Sequence, residues 1–202
     1  MANDLVFDPS RHVYMLNGVI IPGVTSILQA VGIGPDLSVI PAVILNQKRD
    51  IGTFVHEAAE YIDMGAEPEF YPGADGYVEA YRRFKADNSF DPIEAEMQVY
   101  SRSLKYAGTI DRIGIISGKL SLLDIKTTSV LEIGYVGPQT AAYEKAYKEL
   151  TGERKSLMRY ALQLKPDGTY KLQKCTDKED FMAFMAALNV YRWRERHWKV
   201  SK

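Results

Sequence analysis

The stretch AGTIDRIGIISGKLSLLDIKTT, residues 107–128, decides the fold of this chain. Two runs rich in β-branched and apolar residues flank Ser117-Gly118, a pattern that predicts two antiparallel strands joined by a two-residue turn. Asp111 and Asp124 interrupt these runs, and Lys126 follows two residues after the second acid. Because an unpaired carboxylate is costly to bury, two acids within predicted core strands need an explanation.

The predicted two-residue turn fixes the register of this hairpin. It sets Asp111 directly opposite Asp124 and Thr109 opposite Lys126, and alternation places both acids and the lysine on one face of the sheet. Directly opposed like charges destabilise a sheet, and a divalent cation between them would remove that penalty. Oxygen ligands favour Mg²⁺ or Mn²⁺ over zinc, and a lysine beside the ion could stabilise an anionic transition state. Two alternatives are an exposed sheet face with ordinary surface charges, and a longer loop that makes the acids diagonal neighbours.

The rest of the pattern predicts a mixed sheet flanked by helices. The expected elements, in order, are a hairpin through Asn17-Gly18, helices near 40–64 and 72–87, a strand at PIEAEMQVYS, the acidic hairpin, a helix opened by Gly137-Pro138, two strands around Pro166–Gly168, and a C-terminal helix started by a capping box, Thr176–Glu179. This order is typical of an α/β sandwich. We expect one domain over residues 1–202, with a hairpin and helix at 1–39, the core at about 40–175 and the last helix at 176–200.

Two pairs of polar residues recur at helical spacing. In GTFVHEAAEY, His56 and Glu60 are four residues apart and share one helix face. In GPQTAAYEKAY, Gln139 and Tyr143 are also four apart, just after a predicted helix start whose free N–H groups favour anions. Taken alone, each pair is more typical of packing or of the protein surface.

The order of the motifs is more specific than any one of them. G-T-x-x-H-x-x-x-E is followed by G-x-x-D, then D-x-K-T, then Q-x-x-x-Y, between Gly52 and Tyr143. This order resembles the RecB-like branch of the PD-(D/E)XK nuclease superfamily, and the chain is similar to small phage-type exonucleases related to the mitochondrial genome-maintenance exonuclease. The resemblance implies a restriction-endonuclease-like fold, with a central mixed β-sheet flanked by helices. It also implies a metal-dependent DNA exonuclease.

The resemblance assigns roles to the residues that match its motifs. His56, Asp111 and Asp124 would ligate Mg²⁺ or Mn²⁺, assisted by the main-chain carbonyl of Ile125. Lys126 would be the catalytic lysine.

Four further residues have looser roles by the same resemblance. Gln139 and Tyr143 would position the lysine or the scissile phosphate. Glu60 would orient a ligand or water, or would be a surface carboxylate. Glu96 would hold a basic neighbour or contact DNA, or would be structural.

The implied substrate is DNA that is single-stranded or has free ends, degraded during recombination, repair or phage replication, with a recombination or replication protein as a possible partner. Two alternatives are a catalytically inactive nucleic-acid-binding module of the same fold and a structure- or sequence-specific endonuclease. Basic residues that could grip the DNA backbone are Arg82, Arg83, Lys85, Arg192, Arg194, Arg196 and Lys199. Tyr191, Trp193 and Trp198 interleave with the second group, where they could stack on unpaired bases. Trp193 and Trp198 could instead anchor the last helix in the core.

Several classes of protein are excluded by what the sequence lacks. Cys175 is the single cysteine, which excludes an internal disulfide and the four-cysteine iron–sulfur cluster found in some relatives. Neither a signal peptide nor an apolar run long enough to span a membrane is predicted, and no phosphate-binding loop indicates a motor domain. We therefore expect a cytoplasmic, intracellular protein that contacts no membrane. The resemblance to phage-type exonucleases implies that a phage or prophage could encode it.

Overall fold

The structure is a computed structural model that describes residues 5–9, 11, 13–36 and 40–197. Its elements in chain order are β1 (Leu5–Asp8), β2 (Val13–Leu16), β3 (Val19–Ile21), α1 (Val24–Ala30), α2 (Ala42–Asp63), α3 (Asp75–Asn88), β4 (Asp91–Ser101), β5 (Tyr106–Ile116), β6 (Lys119–Lys126), α4 (Ile133–Thr151), β7 (Met158–Leu164), β8 (Tyr170–Lys174) and α5 (Asp180–His197).

The main sheet has five strands in the order β4-β5-β6-β7-β8. Its neighbours pair antiparallel except for β6 and β7, which run parallel. Because parallel neighbours need a crossover connection, α4 links the end of β6 to the start of β7 across one face of the sheet. The predicted mixed sheet flanked by helices is confirmed.

Each face of this sheet is covered by helices through its own apolar core. On one face, Ile110, Ile113 and Leu122 pack with buried residues of α1, α4 and α5. On the other face, Leu123 and Ile125 pack with buried residues of α2 and α3. Strands β5 and β6 therefore contribute side chains to both layers of the sandwich.

A second sheet, β1-β2-β3, packs on one end of β4 and β5. The predicted turn at Asn17-Gly18 is confirmed, with φ values of 50° and 80° that suit a two-residue hairpin. Tyr14 of β2 is buried against Tyr100 and Ala107. The sequence pattern did not predict β1, which pairs antiparallel with β2.

The predicted start of α4 at Gly137-Pro138 is wrong. The helix begins four residues earlier, at Ile133, and Pro138 lies inside it. A proline in this position removes one hydrogen bond and crowds the carbonyl four residues back, which here belongs to Gly134. Gln139 consequently lies in the second turn, so the predicted proximity to free N–H groups at the helix start is also wrong.

The capping box predicted for the last helix is also wrong. The helix α5 begins at Asp180, so Thr176 lies outside it. Instead, Asp177 Oδ1 accepts a hydrogen bond from the main-chain N–H of Glu179 at 2.9 Å. This local bond closes a turn before the helix begins, because an aspartate competes well for nearby backbone N–H groups.

The described part of the last helix leaves Trp193 49% exposed, so it does not anchor this helix in the core. Trp198 and Lys199 lie outside the described residues. Among the residues that the structure describes, no helix is both long and apolar enough to cross a membrane.

Candidate active site

The acidic hairpin has the register that its turn predicts. Ser117 and Gly118 have positive φ values of 49° and 73°, as a two-residue turn between twisted strands requires. The β5–β6 ladder ends with the pair Arg112 and Leu123. Asp111 and Asp124 occupy the next positions, and Asp111 Oδ2 accepts a hydrogen bond from the main-chain N–H of Ile125 at 2.6 Å.

Strand β4 adds a third carboxylate to this row. Glu96 lies between two ladder pairs of β4 and β5, which are Ala95 with Arg112 and Met97 with Ile110. This places Glu96 opposite Asp111, with φ at +47°, a conformation that is uncommon for a residue other than glycine. Glu96, Asp111 and Asp124 therefore stand in one row across three adjacent strands.

His56 of α2 completes a cluster of donor atoms with this row. Its Nδ1 lies 3.2 Å from Glu96 Oε1 and 3.8 Å from Asp111 Oδ1. One ligand atom from each of these three residues lies within 4.8 Å of the others. An imidazole nitrogen and two carboxylate oxygens thus converge on one small volume.

Lys126 and Asp124 form the second half of the site. The Lys126 Nζ lies 2.7 Å from Asp124 Oδ2, and Asp124 is 1% exposed. The contact is a short ion pair between an ammonium and an almost fully buried carboxylate. The ammonium also lies 5.9 Å from the centre of the Tyr135 ring.

Helix α4 contributes a buried polar pair above the sheet. The side-chain N–H of Gln139 donates to the hydroxyl of Tyr143 at 3.0 Å. Within the described part of the chain, the other amide atom, Gln139 Oε1, is buried without a hydrogen-bond partner. An unsatisfied buried acceptor is rare in native proteins and commonly marks a place where a ligand or water binds.

These groups surround a cavity of about 370 Å³. Its lining includes His56, Glu96, Asp111, Asp124, Ile125, Lys126, Gln139 and Tyr143, together with Phe7 and Tyr14 from the N-terminal sheet and Thr25 and Ser26 from α1. The four sequence motifs are therefore brought to one concave site, and the N-terminal hairpin forms part of its wall.

The sequence of residues 73–196 matches the PD-(D/E)XK nuclease superfamily. The chain belongs to this superfamily. The matched segment includes the acidic hairpin, α4 and almost all of α5, so it contains every residue of the cavity except His56 and those between residues 7 and 26. Members of the superfamily use divalent metal ions.

Two solved structures are distant relatives in shape. One is a presumed exonuclease from Eubacterium rectale, at 14% identity and a TM-score of 0.48, over 88% of this chain and 81% of the other. The second is LHK-Exo in complex with dAMP, at 9% identity and a TM-score of 0.40, over 87% of this chain and 88% of the other. No curated protein matches the chain significantly. The assignment to the PD-(D/E)XK superfamily therefore rests on the sequence match.

Burial and neighbouring charges have opposing effects on the pKa values of Asp111, His56 and Lys126. Burial raises the pKa of Asp111 to about 6, an effect that His56 opposes and Asp124 reinforces. Burial alone would lower the pKa of His56, but Asp111 and Glu96 outweigh it and hold that pKa above its ordinary value. Burial likewise opposes the charge of Lys126, yet Asp124 and Asp111 keep its pKa above the ordinary value. The site concentrates negative charge that a cation would neutralise.

The donor set fits a divalent cation. Carboxylate oxygens and one imidazole suit Mg²⁺ or Mn²⁺, and His56, Glu96 and Asp111 each offer a ligand atom within 4.8 Å of the others. Glu96 belongs to this donor set, although the sequence left its role open between holding a basic neighbour, contacting DNA and being structural. Ile125 lines the cavity and donates its main-chain N–H to Asp111, and its carbonyl stays a predicted ligand.

Glu60 is the one predicted site residue that does not line the cavity. It lies one turn beyond His56 on α2, which carries it about 6 Å further along the helix axis. Glu96 occupies the place beside His56 instead.

Most basic residues predicted to grip DNA have partners within the protein. Arg82 pairs with Glu67, Arg83 with Glu79, Lys85 with Asp63, and Arg192 and Arg194 donate to the main-chain carbonyls of Leu104 and Ala30. Contact between these side chains and DNA would have to compete with those bonds.

Proposed function

We propose that this protein is a metal-dependent deoxyribonuclease that degrades DNA from its ends. One observation carries the proposal: three carboxylates stand in a row across β4, β5 and β6, with His56 at one end and Lys126 paired to the acid at the other. Like charges gathered this closely are unfavourable unless a cation binds between them. A lysine beside such a cation is suited to phosphodiester hydrolysis.

The proposed ligands are His56, Glu96, Asp111 and Asp124, with the carbonyl of Ile125. A divalent cation bound there supplies a Lewis acid and lowers the pKa of a bound water. Mg²⁺ or Mn²⁺ fits the mainly oxygen donor set.

Lys126 and the pair on α4 have complementary roles in this proposal. The ammonium of Lys126 stabilises negative charge that develops on the phosphate oxygens. Gln139 offers its unpaired Oε1 as an acceptor for that ammonium or for the attacking water, and Tyr143 holds the amide in orientation. Gln139 and Tyr143 are uncharged and line the cavity, so they would act by positioning the reacting groups.

The motif order supports a place in the RecB-like branch, with residues 1–202 acting as a single nuclease domain inside the cell. Recombination, repair and phage replication are the proposed settings, because each presents DNA with free ends. Single-stranded DNA and duplex ends are both candidate substrates.

The proposal is tested with end-labelled single-stranded DNA, blunt duplex DNA and circular single-stranded DNA, each incubated with Mg²⁺, Mn²⁺ or EDTA. We expect metal-dependent release of mononucleotides or short oligonucleotides from linear DNA, and no cutting of circles. Discrete internal cuts and linearised circles would identify an endonuclease instead. Binding without cleavage in either metal would identify an inactive nucleic-acid-binding module.

Replacing Asp111 with asparagine is expected to weaken cation binding at least about tenfold, because it removes one carboxylate charge from the proposed ligands. Isothermal titration of the metal-free protein with Mn²⁺ measures this directly. Asp50→Asn, an exposed aspartate on α2, is the matched control and should bind Mn²⁺ like the wild type. Equal Mn²⁺ affinity in Asp111→Asn and the wild type would remove Asp111 from the ligand set.

Cation binding should also weaken as the pH falls through about 6, the raised pKa of Asp111. A proton and a metal ion compete for this carboxylate, so Mn²⁺ affinity should be nearly constant above pH 7 and fall by about tenfold per pH unit below 6.

The stability of the metal-free protein should change with pH in the opposite direction. Since folding raises this pKa above 3.8, the folded state binds the proton more tightly and loses stability as the pH rises from about 4 to 6. Mn²⁺ titrations and thermal unfolding between about pH 4.5 and 8, a range that brackets this pKa, would check both trends. An Mn²⁺ affinity that does not change with pH would contradict the predicted competition between the proton and the metal.

A further inference from the structure

Behind the row of carboxylates lies Arg112, the largest fully buried side chain of the described residues. Strand alternation points it away from Asp111, towards the face that α2 and α3 cover. A buried guanidinium is costly unless each of its donors is satisfied, and a position between two strands and a helix can satisfy all of them. Its partners therefore define what it holds in place.

Each nitrogen of the guanidinium bonds to a different group. Nε donates to Asp63 Oδ2 at 2.7 Å, and one terminal nitrogen donates to the main-chain carbonyl of His56 at 3.0 Å. The other terminal nitrogen donates to Glu96 Oε1 at 3.1 Å and to the carbonyl of Asp111 at 2.5 Å. Arg112 thus contacts every residue of the His56–Glu96–Asp111 donor cluster while its own charge stays out of the cavity lining.

Asp63 fixes the guanidinium from the other side. It lies near the end of α2 and also accepts hydrogen bonds from the Tyr81 hydroxyl at 2.8 Å and from Lys85 Nζ at 2.7 Å. Its side chain is 6% exposed, so this pairing is shielded from solvent. The side chain of Arg112 therefore joins two positions on α2, His56 and Asp63, to β5.

Glu96 is held between Arg112 and His56 at an irregular position of β4, where its φ is +47°, a value that is uncommon for a residue other than glycine. Its Oε1 is the atom that both Arg112 and His56 contact. Without Arg112, this oxygen would lose the bond that aligns it with His56.

We propose that Arg112, held by Asp63, is a positioning residue that sets His56 and Glu96 in the geometry that binds the cation. The inference rests on the proposed function, because it takes these two residues as ligands. Arg112 acts through them and does not contact the substrate. Its charge alone would have the opposite effect, since a positive group close to a cation weakens cation binding.

This opposition makes two substitutions at one position informative. Arg112→Lys keeps the charge but offers a single nitrogen, which cannot bond to Asp63, Glu96 and the His56 carbonyl together. Arg112→Met removes the charge and the bonds. If positioning dominates, both variants lose Mn²⁺ affinity by about 10- to 100-fold, the range typical of groups that orient metal ligands. If only charge matters, Arg112→Met binds Mn²⁺ as tightly as the wild type or more tightly.

The experiment combines Mn²⁺ titration with pulsed electron paramagnetic resonance of bound Mn²⁺, without DNA. The wild type should show coupling to an imidazole nitrogen that His56→Ala abolishes, and Arg112→Lys should weaken or lose it. Arg159→Lys is the matched control, because Arg159 bonds to Gly137, Thr140 and Asp180 outside the donor cluster. It should alter stability without changing Mn²⁺ affinity or the nitrogen coupling.

The outcomes separate this inference from the proposed function. Absence of nitrogen coupling in the wild type would overturn the ligand set itself. Nitrogen coupling in the wild type, together with unchanged coupling and affinity in folded Arg112→Lys, would overturn the positioning role and leave the nuclease proposal intact. Circular dichroism identifies the folded variants, and Asp63→Asn serves if Arg112→Met does not fold. Asp63→Asn should weaken Mn²⁺ binding in the same direction by loosening Arg112, and wild-type affinity and coupling in that variant would also overturn the inference.

Discussion

Replacing Lys126 with alanine is expected to lower the rate of DNA hydrolysis by about 10²- to 10³-fold, the usual effect of removing one group that stabilises transition-state charge. DNA binding should remain close to that of the wild type, because one side chain in a cavity contributes little to the total contact with a DNA backbone. Single-turnover cleavage of end-labelled DNA measures the first quantity, and fluorescence anisotropy in EDTA measures the second.

The control is Lys119→Ala, which removes an exposed lysine at the turn end of the same strand. It changes the net charge equally and should leave the cleavage rate unchanged. Because Lys126 is 2.7 Å from Asp124, its loss also leaves a buried carboxylate without its cationic partner. The variant should therefore gain more thermal stability from Mg²⁺ than the wild type does. Full cleavage activity in a folded Lys126→Ala protein would exclude Lys126 from the chemistry.

The acidic hairpin could be predicted from sequence because its geometry is set locally. A turn of two residues leaves a single register, and alternation along each strand then decides which side chains share a face. The observed ladder from Ile116 and Lys119 to Arg112 and Leu123 follows that register. The position of Asp111 beside Asp124 needed no information from the rest of the chain.

Glu96 could not be placed in the same way. Its register against Asp111 is set by the four-residue connection at 102–105, because the pairs from Ser101 with Tyr106 to Glu94 with Ile113 keep one register. That connection has no sequence signal as specific as Ser117-Gly118. The sequence offered Glu60 as well as Glu96, and only the packing of α2 against the sheet shows which carboxylate reaches His56.

Arg112 and Asp63 are separated by 49 residues in sequence, and their pairing is a consequence of tertiary structure. Strand alternation places Arg112 on the face of the sheet opposite to Asp111. The sequence therefore does not indicate that Arg112 bonds to the His56–Glu96–Asp111 donor cluster. The predicted start of α4 was wrong for a different reason. Proline is common in the first turn of helices, and a neighbouring glycine made Pro138 resemble such a start, whereas the helix tolerates it in its interior.

Replacing Gly108 with alanine is expected to destabilise the protein by about 1–3 kcal/mol, a typical cost of forcing extra atoms into a packed core. A Cβ at this position of β5 would lie 2.3 Å from Cε1 and 2.9 Å from Cδ1 of Tyr143. Tyr143 is buried, so its ring can give way only by moving towards the cavity or by displacing α4. Thermal and urea unfolding measure the loss of stability. Gly134→Ala is the matched control on α4, where an added Cβ meets nothing within 4 Å, and it should be neutral or stabilise by about 0.4–1 kcal/mol.

Gly108→Ala should also reduce the rate of DNA cleavage by up to about 10²-fold, since a displacement of about 1 Å at a positioning residue can have an effect of that size. Moving the Tyr143 ring breaks the 3.0 Å bond that orients Gln139. A second change separates packing from chemistry: in Gly108→Ala with Tyr143→Leu, the smaller side chain relieves the clash but cannot bond to Gln139. The double variant should then be more stable than the sum of the two single losses of stability predicts, while its cleavage rate stays low. If cleavage recovered together with stability, the Tyr143 hydroxyl would have no part in the reaction and Gly108 would serve the core alone.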